Sequence, residues 1–175
     1  MRKIGIFFSV FAIISILFLT INNTQNTHTE YLRIHIRANS NSQIDQQIKY
    51  QIKDEVVNFL TPYIAECNTF SKAERVLTDN LDGIEKTCDN FLSSNGFDYK
   101  SRATVKSENF PLRVYDDLTL EEGIYRALII ELGDGKGDNW WCVVYPPLCF
   151  VSNGGDTIYK SKILEIIKDF KGKRS

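Results

Sequence analysis

Two cysteines seven residues apart, Cys142 and Cys149, flank the pair Pro146-Pro147 and offer the chain's clearest covalent chemistry. If the prolines turn the chain back, the thiols meet as a disulfide in an oxidising compartment; in a reducing one they stay as buried thiols. The other pair, Cys67 and Cys88, is too far apart to bridge if an unbroken helix separates them. The chain from Cys67 to Ser71 reaches at most about 14 Å, whereas a helix from Ser71 to Cys88 runs about 25 Å, and a disulfide needs Cα atoms within about 7 Å. A catalytic thiol would need a base. Only His28 and His35 are present. His28 falls in a polar stretch and His35 alternates outward on a strand, so pairing Cys142 or Cys149 with His35 demands a spatial coincidence. A solvent-facing or structurally satisfied His35 is the plainer reading. No Gly-x-Ser-x-Gly, His-Glu-x-x-His or Asp-Thr/Ser-Gly motif occurs.

Gly133-x-Gly135-x-Gly137 invites a phosphate-binding reading, but such a loop must lead from a strand into a helix. Here it leads into Trp140-Trp141-Cys142-Val143-Val144-Tyr145, a strand. A hairpin turn, with glycines supplying positive φ, is expected instead. Asp134, Asp138 and Asn139 lack EF-hand spacing and a closing Glu, so calcium is not expected. No cofactor, metal or small-molecule substrate is implied.

The elements that carry these residues follow from periodicity. Tyr31 to Arg37 alternates as a half-buried strand with Leu32, Ile34 and Ile36 on its apolar face. Ser42 and Asp45 have capping-box-like spacing, and Ile44, Ile48, Ile52, Val56, Phe59, Leu60, Tyr63 and Ile64 form a helical stripe that Pro62 should end or kink near Thr61. Ser71-x-x-Glu74 reads as the capping box of a second, antiparallel helix running to Asn95-Gly96. Strands are expected over Phe97–Val105, Ile124–Leu132 and Trp140–Tyr145, then a short amphipathic helix over Ser161–Phe170. The order β-α-α-β-β-β-α, with its late run of hairpin-connected strands, predicts an α+β fold: an antiparallel sheet with helices on one face.

Ahead of this lies an uncharged apolar run, Ile4 to Ile21, behind Arg2 and Lys3. A basic start before such a run is an export signal, and its length suits a cleaved signal peptide or a retained anchor helix alike. Residues 22–30 read as a polar tether, 31–170 as a single α+β domain and 171–175 as a basic, solvated tail. With 21 basic against 22 acidic residues and 43% hydrophobic content, the chain is a folding one without the basic footprint of a nucleic-acid binder.

The stretch Gly137-Asp138-Asn139-Trp140-Trp141-Cys142-Val143-Val144-Tyr145-Pro146-Pro147-Leu148-Cys149-Phe150 resembles the signature of the stage II sporulation protein R family, secreted signalling proteins of endospore formers. Leu32 to Ser40, Asn109-Phe110-Pro111 and Glu122 to Leu128 agree with it, so the resemblance covers nearly the whole chain. Tyr145 in place of Phe and the charged Ile36-Arg37 are mild departures. The resemblance implies a protein made in the forespore that crosses its membrane into the intermembrane space. There it would activate a membrane-embedded aspartic protease of the mother cell, which processes the pro-form of the early mother-cell sigma factor. It implies no catalysis by the chain itself; the competing reading is an extracytoplasmic cysteine-type hydrolase using Cys142 and His35.

A docking protein takes most of its binding energy from a few aromatic anchors. Trp140, Trp141, Tyr145, Pro147, Leu148 and Phe150 are the candidates. Strand neighbours face opposite ways, so one tryptophan lies on the outer face, free for a partner, or else covered by helices on that face or packed on the Pro-Pro turn.

Overall fold

A computed structural model describes residues 31–115, 118–150 and 157–172. The apolar segment 1–21, the tether 22–30 and tail residues 173–175 lie outside the described residues, as does the anchor helix expected there. Among the described residues no helix is long and apolar enough to cross a membrane.

The fold is α+β, as the sequence predicts, but its four-stranded sheet is mixed. Strands are β1 (Leu32–Arg37), β2 (Ser101–Phe110), β5 (Gly123–Leu132) and β6 (Asn139–Tyr145), in the spatial order β2-β5-β1-β6. β1 pairs antiparallel with β6 but parallel with β5. The expectation of a wholly antiparallel sheet fails because the late strands are not successive hairpins: β1 lies between β5 and β6. A second hairpin, β3 (Arg113–Tyr115) with β4 (Leu118–Leu120), is inserted between β2 and β5 and forms its own two-stranded sheet.

Between β1 and β2 come α1 (Gln43–Ile64), α2 (Phe70–Asp79) and α3 (Leu81–Ser94). Ser42 caps α1 by accepting the Asp45 amide, as its spacing predicts. Ile48, Ile52, Val56, Leu60 and Ile64 of α1 are buried, while Ile44 and Tyr63 at the margins of the predicted stripe are exposed. Pro62 sits inside the last turn rather than ending the helix, and the Ala65 amide closes that turn on the Thr61 carbonyl. The single helix expected from Ser71 onward is two. Asn80 leaves helical geometry at φ -110°, ψ 13°, and its side chain donates to the Val76 carbonyl. Thr69, not Ser71, caps α2, and Glu74 pairs instead with Arg126 of β5. After β6, a 3-10 turn (Leu148–Phe150) precedes α4 (Thr157–Gly172), longer than its expected span.

Each sheet face has its own core. Leu32, Ile34 and Ile36 pack under α1 to α3, together with the free thiols Cys67 and Cys88. Burial pushes the Cys88 thiol up to about 12, so it is inert near neutrality. On the other face Tyr31, Phe110, Tyr125, Ala127, Ile129 and Val143 form a second core beneath the β3–β4 hairpin. Covering both faces makes β1 buried along nearly its whole length.

The glycine loop is a crossover, since it carries the chain from β5 past the end of β1 to β6. Gly133 and Gly135 take φ of 56° and 61°. The amides of Asp134 and Asp138 donate to the side chains of Asn39 and Asn41, while those of Lys136 and Gly137 donate to the Asn39 and Ala38 carbonyls. With these donors spent inside the fold, no nest of amides faces outward to hold a phosphate. Lys49 is buried beneath and donates to the Asp138 carbonyl at 2.9 Å. Asp45 anchors the other side, accepting from Ser40 and Tyr99 at 2.6 Å each. Burial opposes its charge, but these hydrogen bonds and those of Asn39 and Ser42 prevail, holding the carboxyl below its usual range.

Candidate functional site

The signature strand β6 sends its two tryptophans to opposite faces, as alternation requires. Trp140 packs at the helix-side core, with the Lys53 ammonium 5.9 Å from its ring centre. Trp141 lies on the other face, its ring stacked on His35 at 3.7 Å and edge-on to Phe110 at 4.8 Å. Both are half-buried, as is Leu148, whereas Tyr145, Pro147 and Phe150 are buried. Buried side chains present little area to a partner, so these three hold the segment in place: the Tyr145 hydroxyl donates to the Asn68 carbonyl at 2.9 Å, and Phe150 joins the helix-side core. Cys142 and Cys149 are joined by a disulfide with Cα atoms 6.1 Å apart. That link ties β6 to the 3-10 turn, which sets Leu148 against one core and Phe150 against the other.

His35 does not point to solvent. It is 1% exposed, because the far face of β1 is itself covered. Cys142 pairs in register with Ile34 and belongs to the helix-side core, while His35 sits opposite Trp141 on the other face. The Cys142–His35 dyad is therefore not assembled: the sheet separates the two side chains and Cys142 is oxidised. Burial drives the imidazole down to about 4, with Asn139 as the largest opposing influence, so it is neutral at pH 7.

Around His35 lies a polar cluster that sequence reasoning missed. The Arg33 guanidinium lies 4.2 Å from the Phe110 ring centre and 4.8 Å from that of Tyr125, and donates to the Tyr115 hydroxyl at 2.9 Å. Arg37 ion-pairs with Glu108 and Glu131. Glu108 and Phe110 pair in register with Tyr125 and Gly123, yet they contact β1 and β6 side chains. The β2–β5 arm must therefore curl over this face. Alternation made Arg33, His35 and Arg37 look like a solvent face. The hint otherwise was one aromatic in each of β2, β3 and β5, namely Phe110, Tyr115 and Tyr125, with no partner assigned to them. Among the described residues no group of His, Cys, Asp and Glu side chains is gathered that could hold a metal ion.

These features define an α+β domain stapled by a disulfide, with an aromatic cluster around a buried guanidinium on the face away from the helices. The family model described as Stage II sporulation protein R matches residues 28–154. The chain belongs to that family of sporulation proteins. It is similar to Stage II sporulation protein R of Bacillus subtilis (strain 168), with 35% identity over 125 residues, covering 70% of this chain and 56% of that protein. The chain thus spans little more than half the length of this relative. No solved structure matches it.

Proposed function

We propose that this protein is an exported sporulation signal without a catalytic site of its own. It crosses the forespore membrane and, in the intermembrane space, activates a membrane-embedded aspartic protease of the mother cell, which then processes the early mother-cell pro-sigma factor. The family match over residues 28–154 carries this reading. Two features support it. The uncharged run from Ile4 to Ile21 suits export, and a Cys142–Cys149 disulfide suits an oxidising compartment. Docking would use the half-buried Trp140, Trp141 and Leu148, with Tyr145, Pro147 and Phe150 as their support. Activation would follow if the domain bound an active protease arrangement, such as a dimer, better than an inactive one.

Co-expression of the chain, the protease and its pro-sigma substrate in a non-sporulating host tests the proposal. Processing should require this chain and its export. Processing without the chain, or with a leaderless version retained inside the cell, would refute it.

A further inference from the structure

Among the described residues β2 forms one edge of the four-stranded sheet. Its register with β5 is unbroken from Ser101 opposite Leu132 to Phe110 opposite Gly123. In an antiparallel ladder alternate residues turn their N–H and C=O toward the partner strand, and the residues between turn both away. The amides of Ser101 and Ala103 donate to Asp89 and Glu85 of α3 at 2.7 Å each, so these two residues belong to the outward set. Alternation adds Val105, Ser107 and Asn109 to it. α3 answers the edge at its start, and beyond α3 the edge runs on through Lys106, Ser107 and Asn109, all of them exposed.

Such an edge is a template for another strand, and its charges specify which one. When two copies pair antiparallel about a two-fold axis, outward residues must oppose outward residues, so the pairing is centred on a single residue of β2. Centred on Lys106 it would set Lys106 against Lys106, and centred on Glu108 it would set Glu108 against Glu108. Like charges directly opposite are destabilising. Centred on Val105 it would call on the Ala103 amide, which Glu85 holds. Centred on Asn109 it would set Ser107 against Pro111, which has no N–H. Only the pairing centred on Ser107 avoids all of these. Val105 then opposes Asn109, Ser107 opposes Ser107, and about six ladder hydrogen bonds form. Lys106 of each copy faces Glu108 of the other, on the sheet face away from the helices. There Glu108 and Glu131 share one guanidinium, that of Arg37, so a further cation is attracted. A lone edge lysine ordinarily discourages pairing; here it rejects the neighbouring registers and favours one. The paired run ends at Pro111 opposite Ala103, where α3 of the other copy takes over the edge.

We propose that β2 is a self-association edge: two copies of this chain join antiparallel through residues 105–109, centred on Ser107, and continue one sheet across both. The occupant is a second copy because the edge is complementary to itself in length, in hydrogen-bonding groups and in charge. The inference concerns the chain's own assembly and stands apart from the protease reading.

Sedimentation equilibrium of the full chain in a non-ionic detergent tests it. A contact this small supports a weak dimer, half formed at about 100 μM. Ser107→Pro should weaken the dimer at least about tenfold without lowering the denaturation midpoint, because an edge proline removes an N–H that the single copy does not pair. Lys106→Glu, which sets Glu against Glu108, should weaken it as much; it also serves if Ser107→Pro fails to fold. Lys168→Glu makes the same charge change on α4, which packs at the 3-10 turn beyond the opposite edge, and should leave the dimer unchanged. Ser107→Cys should give a disulfide-linked dimer on mild oxidation. A hydrogen-bonded pair holds its Cα atoms about 5.5 Å apart, within disulfide range, and the native cysteines are buried or bridged. A monomer at about 1 mM, ten times the expected midpoint, overturns the proposal. So does a dimer that survives both Ser107→Pro and Lys106→Glu, one that Lys168→Glu weakens equally, or faster linking by Lys106→Cys than by Ser107→Cys.

Discussion

A buried imidazole links this protein's stability to acid. His35 has a folded pKa of about 4 against 6.5 in the free side chain. Between these values the unfolded chain takes up a proton that the folded chain refuses. The stabilisation is therefore complete above about pH 6.5, falls as the pH drops toward 4, and levels off below. At about 1.36 kcal/mol per unit the loss is roughly 2–4 kcal/mol. Denaturant titrations at about pH 7 and pH 4.5 should show it in the wild type and show less of it in His35→Phe. Gly137 is constrained by space instead: a Cβ there would overlap the Ser40 carbonyl, which is backbone and cannot swing away. Gly137→Ala should therefore lower stability by about 1–3 kcal/mol in the same titration.

At the scale of elements, the crossover loop and the disulfide fix β6 from its two ends. The loop is secured by Asn39, Asn41 and Lys49, the far end by the Cys142–Cys149 link. A disulfide closing a loop this short stabilises by about 2.5 kcal/mol on chain-entropy grounds. Dithiothreitol, or Cys142→Ala with Cys149→Ala, should lower the denaturation midpoint accordingly. An unchanged midpoint would mean that the two cores hold the 3-10 turn without help. The thiols of Cys67 and Cys88 should stay unreactive toward thiol reagents until the protein unfolds, because both are buried.

The whole molecule is a sheet with two covered faces, and the tryptophans divide between them. Each truncation therefore disturbs a different core. Trp141→Ala removes the stack on His35 and the contact with Phe110, and Trp140→Ala loosens the packing at α1. Trp141→Ala should cost about 3 kcal/mol, the low end of the range for large aromatic deletions, because the ring is only half-buried. If either ring is also a docking anchor, activation of the protease should fall by more than the folded fraction does. Folded Trp140→Ala and Trp141→Ala proteins that both activate normally would end the docking-patch proposal.

Local chemistry was enough for much of this. The period-2 run over β1, the Ser42 cap, the α1 stripe from Ile48 to Ile64 and the long β5 strand could be read from neighbouring residues, because caps and amphipathic faces depend on side chains only a few positions apart. The signature from Gly137 to Phe150 carried the family for the same reason, being one continuous segment. Other features depended on residues far apart in the chain. Whether β5 lies parallel to β1, and whether residues 133–138 form a hairpin or a crossover, turns on β1 occupying the place between β5 and β6, and no local pattern encodes that choice. The fate of Arg33 and His35 was decided in the same way. Their alternation marks them as one face of a strand, but only the curl of the β2–β5 arm and the inserted hairpin make that face an interior, where burial opposes their charge.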